Sequence, residues 1–176
     1  MLLVLTSCQQ SEYDQLLAKE SKSGDTHNSI FDEFELGMSL DSFYDICRAG
    51  NADGTYTNSP ENWVVREFKQ DSTTLQFTFF PGVNDGIIYR MPIDITDKSW
   101  AIWNKETHSD KVISKVLTWA ESSYGEDFIS IENENGQEIF ADIDGNREVL
   151  IGIKDDKTVS MIVTDYKLDM EIQKTL

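Results

Sequence analysis

The sequence predicts an α+β fold, with two main helices packed on antiparallel sheet of about seven strands. Three observations lead there. Two segments repeat apolar residues at the helical period of 3.6, each between an N-terminal capping residue and a glycine. A second set of segments alternates apolar and polar residues, as half-buried strands do. Between the later strands stand Asn135-Gly136 and Asp144-Gly145-Asn146, which supply the positive φ that tight hairpins need.

Along the chain, Ser11 is expected to cap a short helix from Glu12 to about Glu20, with Asp14 completing a capping box. Ser21 to Ser29 reads as a flexible spacer rich in Ser, Gly, Asp and Asn. Ser39 is the N-cap of the first main helix, Asp41 suits its positive dipole end, and Met38 with Phe43 forms a hydrophobic staple. Leu40, Phe43, Tyr44 and Cys47 form its buried face, and Gly50 is its expected stop. A polar loop, Asn51 to Glu61, follows.

Strands are expected over Trp63 to Lys69 and Thr73 to Phe80, with Leu75, Phe77 and Phe79 on one side. After a turn from Pro81 to Gly86, a third strand runs through Ile87, Tyr89, Met91, Ile93 and Ile95. Pro92 within it argues for an edge or a bulge. Asp97 is expected to cap a short helix on which Trp100 and Trp103 share a face. Ser109 or Thr107 caps the second main helix, whose face is Ile113, Val116, Leu117, Ala120 and Tyr124 and whose end is Gly125. Four strands follow, Phe128 to Glu132, Gln137 to Asp142, Glu148 to Lys154 and Thr158 to Tyr166, with Asp155-Asp156 at the last turn. Lys167 to Leu176 reads as a fraying strand extension. Helix plus three strands, then helix plus four, admits a duplicated unit with its helices on one sheet face.

Aromatic residues make up 11% of the chain, enough large side chains for a core and too many for a disordered one. The net charge is −17; Gln9 to Ser29 carries −2 of it, leaving −15 for the body. That charge repels phosphate backbones, which excludes nucleic acid, and it suits a soluble face, a cation or a basic protein partner. Cys8 and Cys47 belong to no Cys/His cluster, so no zinc site is expected.

The opening Met1-Leu2-Leu3-Val4-Leu5-Thr6-Ser7-Cys8 is an apolar run closed by two small residues and a cysteine. It resembles the bacterial lipobox, which implies cleavage before Cys8 and a diacylglycerol on its thiol. It departs from that pattern in having no Lys or Arg before the run and a short apolar stretch. The acidic residues just after Cys8 resemble the surface-export signal of Bacteroidetes lipoproteins. Phe34-x-x-Gly37-Met38-Ser39-x-x-x-Phe43 resembles the capped-helix opening of small periplasmic lipoproteins and β-lactamase-inhibitor-like domains. Leu36 to Cys47, Ile87 to Trp103 and Trp119 to Phe128 are similar to uncharacterised Bacteroidetes lipoproteins. These resemblances imply location and no chemistry. The expected organisation is 1–8 as signal remnant with lipobox, 9–29 as polar tether and 30–176 as one globular domain.

Asp142-Ile143-Asp144-Gly145-Asn146 has the alternating acids of a calcium loop, but the glycine comes too early for an EF-hand and a hairpin explains it. His108, with Glu106 and Asp110 near it, would need a cleft and a carboxylate partner to serve a hydrolase. Glu132/Glu134 and Asp155/Asp156 fall at expected turns rather than across a cleft. No nucleophile elbow, P-loop or dinucleotide fingerprint occurs, so no enzyme, catalytic residue, cofactor or metal is expected. Of Trp63, Trp100, Trp103 and Trp119, the pair Trp100 and Trp103 is the expected binding patch if exposed. The expected function is a non-catalytic, lipid-anchored cell-envelope protein that contacts another macromolecule. The alternative is an acidic immunity or inhibitor protein that neutralises a basic toxin or enzyme.

Overall fold

A computed structural model of the chain describes residues 11–70, 72–133 and 135–175. Cys8, the lipobox and Glu134 lie outside the described residues. The fold is α+β, with four α-helices and an antiparallel main sheet of nine strands among the described residues. Helix α1 (Glu12–Ser23) precedes a hairpin of β1 (Ser29–Phe31) and β2 (Phe34–Glu35). Helix α2 (Leu40–Asp53) leads into β3 (Tyr56–Asn58), β4 (Val64–Gln70), β5 (Thr73–Phe79), β6 (Gly82–Asn84) and β7 (Ile87–Asp97). Helix α3 (Ser109–Tyr124) leads into β8 (Ile129–Glu132), β9 (Glu138–Asp144), β10 (Arg147–Ile153) and β11 (Val159–Asp165), and α4 (Tyr166–Gln173) closes the chain.

The sheet order is β3-β4-β5-β7-β11-β10-β9-β8, with β6 added beside β7. Each main helix is thus followed by a meander of hairpin-linked strands, and the last strand of one meander pairs with the last strand of the other. That is the doubled arrangement admitted by the order of elements. The alternation seen in sequence sets the inner face. Leu75, Phe77, Phe79, Ile93, Ile95 and Met161 are all at most 1% exposed. Phe43 of α2 and Val112, Val116 and Ala120 of α3 close over that face. Phe31 of the first hairpin stands edge-on to Phe34, Phe77, Phe79 and Trp119, an arrangement that favours the ring quadrupoles.

Several expectations are corrected. Gly50 does not end α2, which runs to Asp53 and is capped by Gly54 at φ 85°. Gly50 is instead buried mid-helix, where a Cβ would run into the Tyr56 ring. Pro92 lies in a central strand, paired in register with Ile162. On its other side the ladder is interrupted at Phe80-Pro81, between Phe79↔Ile93 and Gly82↔Arg90, so the missing donor meets a gap. The C-terminal stretch is helical because the Asp165 carboxylate accepts from the Leu168 N–H at 3.0 Å and caps α4. No helix runs from Asp97 to Trp103. Asp97 ends β7 and its carboxylate accepts the Ser99 N–H at 2.8 Å, folding a turn, and between β7 and α3 the regular structure is a 3-10 turn at Lys105–Thr107. His108, rather than Ser109 or Thr107, occupies the N-cap of α3.

The expected spacer is laid on the body. The His27 N–H donates to Asn146 Oδ1 at 2.7 Å, and Asn146 donates to Asn28 Oδ1 at 3.2 Å.

Candidate functional site

A cavity of about 700 Å³ lies between α1, the C-terminal end of α3, and strands β8 and β9. Its wall on one side is α1, which two polar contacts hold in place. The Tyr13 hydroxyl donates to Glu148, a buried carboxylate whose burial raises its pKa. Glu20, 7% exposed, accepts the Gly145 N–H at 3.2 Å. The Lys19 ammonium, 2.9 Å from Glu20, holds that carboxyl below its ordinary value. Gly145 needs to be glycine, because φ is 65° and a Cβ would stand 2.6 Å from the Asp25 carbonyl oxygen.

Five carboxylates line the cavity, from Glu12, Glu20, Asp127, Asp142 and Asp144, against one ammonium, from Lys19. Leu16, Ile129, Ile143 and the Tyr124 ring form its apolar wall. Asp142 is 4% exposed, and its Oδ2 is buried without a hydrogen-bond partner. Burial pushes its carboxyl up to about 6, with the charge of Arg147 opposing the shift. Arg147 is itself buried, stacked 4.8 Å over the Tyr124 ring, and bonds Asp144 and the Ser29 carbonyl at 3.4 Å each.

The structure distributes the sequence-predicted groups unevenly. The Asp142–Asn146 segment is a tight hairpin in which Asp144 pairs with Arg147 across the β9–β10 ladder. Asn146 is engaged by His27, Asn28 and Asp165, and Asp144 lies 3.3 Å from His27 Nε2. Among the described residues no three acidic, His or Cys groups come together at metal-ligand spacing. His108 is 7% exposed and faces the Trp100 indole at 6.1 Å between ring centroids, while Glu106 and Asp110 point outward as exposed residues. Asp155 holds its own turn, accepting the Lys157 and Thr158 N–H groups at 2.9 and 2.8 Å.

The tryptophans separate. Trp119 belongs to the aromatic core, and Trp100 is half-buried with the Lys157 ammonium 5.5 Å over its ring. Trp103 is 84% exposed and its neighbour Ile102 66% exposed. Their loop is braced: the Thr107 hydroxyl donates to the Asn104 carbonyl at 2.7 Å and accepts the Ala101 N–H at 3.3 Å. The exposed apolar pair is therefore Ile102 with Trp103, not Trp100 with Trp103.

Sequence reasoning missed the cavity and the buried state of Asp142. The available signal was Ile139-Phe140-Ala141-Asp142-Ile143, where an acid interrupts a strand apolar on both faces. No family model, curated protein or solved structure matches the chain.

Proposed function

We propose that this chain is a non-catalytic binding protein, held at the cell envelope by a lipid on Cys8, that engages another macromolecule through the Ile102–Trp103 loop. The observation that carries the reading is the 84% exposure of Trp103 on a braced loop. A rigid, exposed indole buries much area on contact and loses little entropy, which is how interface anchors act.

The test has two arms. Labelled palmitate should enter the wild-type protein and not Cys8→Ser, and the variant should leave the membrane fraction. Photo-crosslinking from position 103 in intact cells should capture one recurrent envelope protein, and Trp103→Ala should weaken that complex by about 2 kcal/mol, roughly 30-fold. Absence of label, or capture unaffected by Trp103→Ala, would sink the reading. The net charge of −17 favours a second reading, an inhibitor of a basic protein, whose mark would be an association rate falling steeply with added salt.

A further inference from the structure

We propose that the β8 border of the main sheet is a docking site for an extended cationic segment of a partner protein, which adds to the sheet as a further strand.

The first support is the backbone. β8 stands at one border of the main sheet and pairs with β9 alone among the described residues. Its register runs without a bulge from Ile129↔Ala141 to Glu132↔Glu138. Just beyond it, the Asn133 N–H donates to the Gln137 carbonyl at 2.9 Å. Antiparallel pairs alternate between those that exchange backbone hydrogen bonds and those that do not. Counting back from Asn133, Ile131 and Ile129 turn their amides and carbonyls to β9, and Ser130 and Glu132 turn theirs outward. Among the described residues nothing bonds those four outward groups, and Ser130 and Glu132 are both exposed. Such a row is a template for another strand. The opposite border differs, since β3 has three residues and runs straight on to Pro60, which has no N–H to donate. β8 contains neither proline nor lysine.

Charge selects the occupant. From Tyr124 to Asn146 the chain carries seven Asp or Glu and no Lys, Arg or His. Glu132 and Glu138 stand directly opposite one another in a pair without backbone hydrogen bonds, where side chains come closest and like charges destabilise. Among the described residues neither forms an ion pair. A strand added outside β8 sets every second side chain beside Ser130 and Glu132, where Lys or Arg relieves that repulsion. The intervening side chains meet Ile129 and Ile131, which are half-buried and continue a row with Ala141 and Ile139. A second copy of this chain brings the same acids to the border and is repelled.

The inference depends on neither the lipid at Cys8 nor Trp103. The probe is a capped seven-residue peptide that alternates lysine and valine, titrated into the full chain. It should bind saturably. In hydrogen exchange followed by NMR, the Ser130 and Glu132 amides, fast in the free protein, should become protected, while those of Ile129 and Ile131 are protected throughout. Ser130→Pro deletes an outward N–H and leaves the bonds to β9 in place, so the fold is kept and binding should weaken roughly tenfold. Glu132→Gln should weaken it about threefold, and Asp85→Asn at the remote β6–β7 turn should leave it unchanged. Methylating alternate backbone nitrogens of the peptide should abolish binding. The proposal is overturned if the probe does not bind, if the methylated peptide or one alternating glutamate and valine binds equally well, or if folded Ser130→Pro binds as wild type does. Protection of the same two amides on raising the protein concentration alone would assign the border to a second copy and overturn it equally.

Discussion

Asp142 sits where an ionised carboxylate is poorly accommodated, and its titration has a defined consequence. Its folded value, raised to about 6 by burial, exceeds the ordinary carboxylate value of roughly 4 in an unfolded chain. Between those values the native state holds more protons than the unfolded one, so stability falls as pH rises through the interval. Asp142→Asn removes that dependence. Its unfolding free energy from urea titration should match wild type near pH 4 and exceed it above pH 7, by on the order of 1 kcal/mol. Gly50 makes the opposite case. Gly50→Ala adds one methyl against the Tyr56 ring and should destabilise by about 1–3 kcal/mol in urea unfolding, although alanine is the better helix former. The burial of Asp142 left one trace in the sequence, an acid within an apolar strand, whereas the role of Gly50 depends on a contact across the chain and left none. A glycine three residues before a helix end resembles a stop until the Tyr56 ring that requires it is seen.

At the scale of elements, local signals were decoded well where the information is local. The Ser11/Asp14 capping box, the Ser39 cap and the alternation through Leu75, Phe77 and Phe79 all appear as read. Failures came where a partner element decides. Pro92 occupies a central strand because β5 and β6 leave a gap opposite it, which no property of β7 announces. Tyr166 to Gln173 carries no strong helical pattern, and its helix depends on the Asp165 cap. The α1 segment was read as part of a tether since its outer residues are polar, whereas Tyr13 and Glu20 bind it to Glu148 and Gly145. Tyr13→Phe leaves the buried Glu148 carboxylate without that donor, at a cost of about 1–3 kcal/mol. Hydrogen exchange should therefore quicken in residues 12–23 while the amides of β7 and β11 keep their protection. Equal quickening in β7 would show that α1 and the sheet open as one unit.

Over the whole molecule, the α+β class and the helix-then-strands order were readable because they rest on periodicity, which survives without knowledge of pairing. The joining of the two meanders was not, since a strand's sequence does not say which distant strand lies beside it. That joining runs along β7 and β11, whose register extends from Val159↔Ile95 to Thr164↔Arg90. Apart, each meander would end in a bare apolar border with unsatisfied amides, the kind of border that seeks a second chain. The covalent link between the halves passes through the exposed stretch around Trp103, so a single protease cut there should leave one intact particle on a sizing column. By the same logic, residues 11–101 and 104–176 made as separate polypeptides should each be sticky alone and should reassemble when mixed.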